Sequence, residues 1–254
     1  MSVDVDTRGH IQIITINRPE ARNAVDDVVA QGIESALDRL EADDDLWLGI
    51  LTGVPPVFCA GADLKMVGAG QAMALQTKRG GFGGIVRRAR TKPLIAAVDG
   101  PALAGGTEMV LACDLVVAST TATFGIPEVK RSLVAAAGGL FRLPRRLPLN
   151  VAMECALTGD PIDATAAHQF GLVNDLCAPG SALERAVALA GRITSNAPVA
   201  VRATRRIVLD SLAVDEVAAW RLSAQGFAEA SASEDFKEGI DAFVEKRRPV
   251  WTGR

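Results

Sequence analysis

The chain is predicted to be an α/β protein, with strand-rich units interleaved with helices and a helical C-terminal region. Three observations carry this. Short aliphatic runs such as Leu94–Val98, bounded by Lys92-Pro93 and Asp99-Gly100-Pro101, read as buried strands. The stretch Ala97–Glu128 runs strand, glycine turn, helix, strand, loop. From Ala182 onward the pattern is helical, and Pro198 and the Asp/Glu-rich openings mark helix starts.

In chain order, Val3–Asn17 reads as two strands joined at Arg8-Gly9, with alternation in HIQIITIN. Asn23 is a good N-cap for the next helix. Val25, Val28, Val29, Ile33, Ala36, Leu37 and Leu40 trace the apolar face of that helix. Leu46–Thr52 is the next strand, and Pro55-Pro56 interrupts the chain before VFCAGADLK. Val67–Gly84 is glycine-rich around a possible short helix, and reads either as a mobile cover over a ligand or as a variable surface loop. Ile85–Thr91 reads as a basic helix, whose charge run is ordinarily a solvated face. Asp114–Ser119 is a strand, Gly138-Gly139 opens a helix, VAMECALTG is another, and IDATAAHQFGL ends at Gly171 before the strand LVNDLCA. No linker separates the strand-rich core, residues 1–195, from the helical region, residues 196–254, and the two are read as one folded unit.

Composition narrows the classes. The 254 residues carry a net charge of −3, 49% apolar side chains and 4% aromatics without a tyrosine. That is an ordinary globular balance, and it disfavours a nucleic-acid surface built on basic charge or base stacking. The acidic N-terminus carries no apolar leader segment, and no apolar run approaches the ~18 residues of a membrane span. Cys59, Cys113, Cys155 and Cys177 match no zinc spacing and read as free thiols of a cytoplasmic protein. His10 and His168 stand outside any nucleophile–base pattern. No metal site is expected.

Two segments carry chemistry. In PALAGGTE, Gly105 and Gly106 open a helix whose first amides attract negative charge, and Glu108 lies one turn on along the same face. In FGIPE, Glu128 follows a proline in a loop. Taken alone, Glu108 is as readily a dipole-favoured helix residue and Glu128 a surface one. A second turn in Val57–Lys65 alters that balance, because two turns aiming one N–H each at a single carbonyl oxygen build an oxyanion hole.

NRPEARNAV (Asn17–Val25), FCAGADLK (Phe58–Lys65), PALAGGTE (Pro101–Glu108) and FGIPE (Phe124–Glu128) resemble, in order and spacing, the four signature blocks of the crotonase, or enoyl-CoA hydratase/isomerase, superfamily. The resemblance spans essentially the whole chain. It implies a crotonase-type spiral of ββα units with a helical C-terminal oligomerisation region, assembled as a homotrimer or dimer of trimers. It also implies an acyl-CoA thioester substrate and no cofactor beyond the CoA that the substrate carries. By position, the amides of Ala62 and Gly105 would form the oxyanion hole, Glu108 would be the base on water, and Glu128 the proton donor. CoA contacts would fall on Ala60, Ala62, Asp63, Leu64, Lys65 and Gly105, with Phe243 and Lys246 reaching a neighbouring subunit's CoA.

The expected activity is hydration of a 2-enoyl-CoA. Retention of both glutamates favours it over double-bond isomerisation or thioester hydrolysis, and a binding protein like the family's RNA-binding members is a further alternative. The chain departs from the family at Ala104, the first position of the usual three-glycine turn, where little effect is expected. It also departs at Ser132, Ala135 and Ala136, where hydratases commonly show Gly-x-x-Pro-Gly. The C-terminal tail and LFRLPRRLP resemble carnitinyl-CoA dehydratases, which makes a polar or branched acyl group an alternative.

Overall fold

The computed structural model describes residues 2–254. The chain begins with the hairpin β1 (Val3–Arg8) and β2 (Ile11–Ile16), followed by helix α1 (Asp27–Ala42) and strand β3 (Leu48–Gly53). Next come α2 (Leu64–Gly68), the small hairpin β4 (Gln76–Thr77) and β5 (Gly81–Phe82), β6 (Leu94–Val98) and β7 (Ala102–Leu103). Then follow α3 (Gly105–Leu111), β8 (Leu115–Ser119), β9 (Thr123–Gly125), α4 (Gly139–Arg142) and α5 (Leu149–Thr158). The last core elements are β10 (Ile162–Asp163), α6 (Ala164–Gln169) and β11 (Asp175–Cys177). Four helices finish the chain: α7 (Ala182–Thr194), α8 (Pro198–Asp210), α9 (Glu216–Ser231) and α10 (Glu234–Glu245).

The main sheet has the order β1-β2-β3-β6-β8-β11, parallel throughout except for the β1/β2 hairpin. Both faces of its middle are covered, which is why these strands read as near-continuous aliphatic runs. On one face Ile14, Ile16, Leu51 and Ala96 pack with Val29, Ile33, Leu37 and Leu40 of α1. On the other, Ile11, Ile13, Ile50 and Ile95 meet Ala182, Ala186 and Ala190 of α7. A second, three-stranded sheet, β10-β9-β7, stands beside the first and carries the loops of the site.

Four local readings are revised. Asn23 is not the α1 cap. It is fully buried with φ +55°, and its side chain accepts from the Arg18 amide and donates to the Val54 and Val57 carbonyls; Asp26, accepting from the Val29 amide at 2.7 Å, is the cap. Val28 points outward, 52% exposed. Ile85–Thr91 is turn and irregular backbone rather than a helix, and two of its cations reach separate acids, Arg88 to Asp38 and Arg90 to Asp114. The stretch after Val67 is more ordered than its glycines suggest, holding the end of α2, a short 3-10 turn and the β4–β5 hairpin.

The helical region is tied to the core through Asp114. Its carboxylate accepts from Arg90 and the Leu94 amide in the core and from Arg205 of α8. Burial pushes this carboxyl up, but the two guanidiniums and the amide outweigh burial and hold it below its usual range. Beyond this anchor α8 to α10 leave large apolar side chains exposed, among them Leu212, Val217, Trp220, Phe227 and Phe243.

Candidate active site

Two turns meet at one place. Cys59 forms a parallel bridge with Ala102, with the Phe58 amide donating to the Pro101 carbonyl and the Leu103 amide to the Cys59 carbonyl. The approach leaves no room for side chains. A Cβ on Gly106 would lie 2.2 Å from the Cys59 carbonyl oxygen, and one on Gly61 would lie 2.8 Å from Ala104 Cβ. This is why small residues stand here. Gly105 and Gly106 are the first residues of α3, so the Gly105 amide has no partner within the helix. Among the described residues the Ala62 amide is likewise not spent on a backbone or side-chain acceptor. Both residues line a cavity of about 620 Å³.

Ala104 precedes α3 with φ +52° and ψ −127°, a conformation open to glycine and strained for alanine. The alanine at the first turn position is therefore not the innocuous replacement expected from sequence. Thr107 missed notice in the sequence and does much of the positioning. Its buried hydroxyl lies 2.7 Å from the Ala102 carbonyl and 2.8 Å from that of Gly125, and accepts from the Gly125 amide. The loop that follows β9 is thereby pinned to α3.

That loop is a 3-10 turn, Pro127–Arg131, and it presents Glu128 to the same cavity as Glu108. The two carboxyls sit in unlike surroundings. Glu108 is 3% exposed, and its Oε1 accepts from the Gly139 amide at 2.9 Å, the first amide of α4. Burial raises its pKa, while the Gly139 and Ala137 amides and the charge of Arg142 oppose the rise. Arg142 itself is held by the Val86 carbonyl at 2.6 Å. Glu128 has no partner from another element. Its Oε2 is buried without a hydrogen-bond partner; burial pushes its pKa up, its own backbone amide opposes the rise, and the charge of Glu108 adds to it. Gly139 and Arg142 were not legible as site residues from sequence, since only the fold brings α4 against α3.

The remaining candidates divide. Ala60, Ala62, Leu64 and Gly105 line the cavity, with Phe82 roofing Gly105 and Val86, Leu133 and Val134 forming apolar wall. Asp63 is buried outside it, capping α2 through the Lys65 amide and pairing with Arg18 at 2.8 Å. Lys65 is exposed on α2, also outside the lining. Phe243, 85% exposed, and Lys246 lie at the end of α10, apart from the cavity of their own chain. Ser132, where the family shows glycine, adopts φ +55° at the end of the 3-10 turn; Ala136 lines the cavity, and Ala135 is buried behind it. A second cavity of about 390 Å³, almost wholly apolar, opens on the other side of Glu128 between Leu133, Leu149, Ala152 and Met153.

The arrangement sets two unspent amides, one supported carboxylate and one unsupported carboxyl around a single space. Such a set stabilises charge on a carbonyl oxygen while moving protons nearby. Comparison with known proteins agrees with it. Residues 6–254 match the profile of the family described as enoyl-CoA hydratase/isomerase. The enoyl-CoA hydratase EchA19 of Mycobacterium tuberculosis is 40% identical over 98% of this chain and 96% of its own. A crystal structure of an enoyl-CoA hydratase from Mycobacterium tuberculosis H37Rv superposes with a TM-score of 0.96 at 50% identity, over 100% of this chain and 99% of that one. A carnitinyl-CoA hydratase from Mycobacterium avium superposes at 0.78 with 44% identity, over 100% and 99%.

Proposed function

The chain belongs to the enoyl-CoA hydratase/isomerase family, and we propose that it adds water across the 2,3 double bond of a 2-enoyl-CoA, a reaction it also runs in reverse. The observation that carries this reading is the geometry at the two glutamates, Glu108 held by the Gly139 amide and Glu128 with a buried, unpartnered Oε2. Glu108, whose Oε1 is oriented by the Gly139 amide, takes the proton from water. Glu128, with burial and a neighbouring negative charge against ionisation, is kept as the acid, and it delivers a proton to the α-carbon. The thioester oxygen sits between the Ala62 and Gly105 amides as the β-carbon is attacked. Each donor contributes about 2.7–4 kcal/mol to lowering the barrier. No cofactor enters these steps; the CoA belongs to the substrate.

In this reading the CoA enters past Ala60, Ala62 and Leu64, with Lys65 at the rim. Asp63 serves the CoA indirectly, by capping the helix that carries its neighbours. Phe243 and Lys246 serve a neighbouring subunit's CoA, and the chain forms a homotrimer or a dimer of trimers. The apolar side chains left exposed on α8 to α10 support that assembly, and sedimentation equilibrium tests it. Cytoplasmic residence belongs to the same reading, supported by the buried thiols Cys59, Cys113 and Cys155.

A carnitinyl-type acyl group fits less well. Its quaternary ammonium calls for an aromatic cage. Phe82 is the single aromatic side chain among the described residues lining the cavity, and Arg87 and Arg131 line it too.

The test is loss of the conjugated-enoyl absorbance when the protein meets crotonyl-CoA, beside Glu108→Gln and Glu128→Gln. Each substitution is expected to slow turnover about 10²–10⁴-fold. Turnover that survives Glu108→Gln but not Glu128→Gln would overturn hydration in favour of isomerisation.

A further inference from the structure

Three arginines line the main cavity: Arg22, Arg87 and Arg131. Among the described residues none of them forms an ion pair. The only acidic side chains on the same wall are Glu108 and Glu128, and both are engaged by the chemistry. All three are exposed to solvent and unpaired, so their guanidiniums are available to a ligand, and their position in the fold decides what kind.

Arg22 stands at the CoA end, where its carbonyl accepts the Ala60 amide at 3.1 Å. Arg131 is at the opposite end. It closes the 3-10 turn that carries Glu128, three residues further on. Residues three apart in such a turn stand one above the other, so Arg131 rises from the same side of the turn as the catalytic carboxyl. It does not pair with Glu128. Arg87 lines the same cavity from a different part of the chain. Its stem packs on Gly81 of the β4–β5 hairpin, the hairpin whose Phe82 covers Gly105. Between the two arginines the lining is apolar: Phe82, Val86, Leu133 and Val134. Once the thioester oxygen is seated on Ala62 and Gly105 and the double bond lies at the glutamates, whatever extends past Glu128 belongs to the acyl group. The chamber beyond Leu133 and Leu149 has no cation with which to receive a charge.

We propose that the acyl group carries a carboxylate at its far end, a dicarboxylic acyl-CoA, and that Arg87 and Arg131 receive it across a short methylene spacer. The proposal rests on the hydratase reading for the direction in which the acyl group runs. Guanidinium suits this task because its fixed fork of donors matches a carboxylate with two parallel hydrogen bonds. The apolar wall between the arginines and the oxyanion hole suits the methylenes. The same two cations repel an acyl group that ends in a positive charge.

The test compares adipyl-CoA with hexanoyl-CoA. They have equal acyl carbon number and no double bond, so they bind without turnover. Calorimetric titration of the wild-type protein is expected to show adipyl-CoA bound about 10-fold or more tightly. In Arg131→Met and in Arg87→Met, each checked for folding by circular dichroism, the ratio of the two affinities is expected to fall toward one. Methionine keeps most of the stem and removes only the guanidinium. Hexanoyl-CoA binding as tightly as adipyl-CoA to the wild type would overturn the proposal and direct the acyl group into the apolar chamber. Parallel weakening of both ligands in the variants would overturn it too, because that is the signature of contacts to the CoA phosphates. Crotonyl-CoA turnover by the wild type, measured alongside, reports separately on the hydratase reading.

Discussion

The Gly139 amide donates to Glu108 Oε1 at 2.9 Å, joining residues 31 apart in sequence. This contact orients the proposed base and favours its ionised form. A Cβ at Gly139 would lie 3.2 Å from both Cγ and Oε1 of Glu108, so Gly139→Ala must shift the carboxylate by a few tenths of an ångström. Misplacement on this scale is expected to cost kcat about 10-fold or more, with KM little changed. Steady-state kinetics check it, and an unchanged kcat would show that the contact is dispensable.

Burial raises the pKa of Glu108 and of Glu128. The folded chain therefore holds these protons more tightly than the unfolded chain does. Stability is greatest below the ordinary carboxylate value and falls as pH rises through the window up to the raised values. At neutral pH, Glu108→Gln removes a buried charge and keeps its shape. It is expected to raise Tm by about 2–4 °C, corresponding to about 1 kcal/mol in a domain of this size, while lowering activity. Scanning calorimetry at pH 7 decides the sign.

The pH profile of kcat/KM should show the same two groups. Its acidic limb reports ionisation of Glu108 and is expected above the ordinary value of 4.5, because burial is the largest influence on that carboxyl. Its alkaline limb reports loss of the Glu128 proton. Glu108→Gln should abolish the acidic limb in whatever activity remains.

Ala104 holds φ +52°. Relieving that strain with Ala104→Gly is expected to stabilise the fold, less the extra chain entropy of a new glycine. The net gain should be on the order of 1 kcal/mol. Urea unfolding measures it, and a destabilised variant would mean that the methyl packing is worth more than the strain.

Asp114 anchors α8 to the core through Arg90 and Arg205, whose side chains are 4% and 14% exposed. Asp114→Ala leaves both cations without their acid, and is expected to cost about 3–5 kcal/mol. Since the Asp114 pKa is depressed, its contribution is present at neutral pH and is lost as pH falls through the folded-state value. The difference in urea midpoint between wild type and variant should therefore narrow in acid.

Read alone, the sequence determined the features that arise from local chemistry. The aliphatic strands, the glycine-opened α3, the helical C-terminal region and the motif spacing that singled out Glu108 and Glu128 depend on residue type and near neighbours, and they are visible as pattern. Tertiary structure decided whatever depends on long-range approach. Asn23 looked like a cap but is a buried bridge, because its amide meets the Val54 and Val57 carbonyls. Ile85–Thr91 looked helical but is turn and irregular backbone, with Arg88 and Arg90 reaching Asp38 and Asp114. Arg87 is exposed, as its charge run suggested, and only the fold shows that it also lines the cavity. Above all, the family resemblance assigned roles to two glutamates of identical intrinsic acidity, but the chain alone did not show their surroundings. Folding α4 against α3 brings an amide and a guanidinium to Glu108, while Glu128 Oε2 is left buried without a partner.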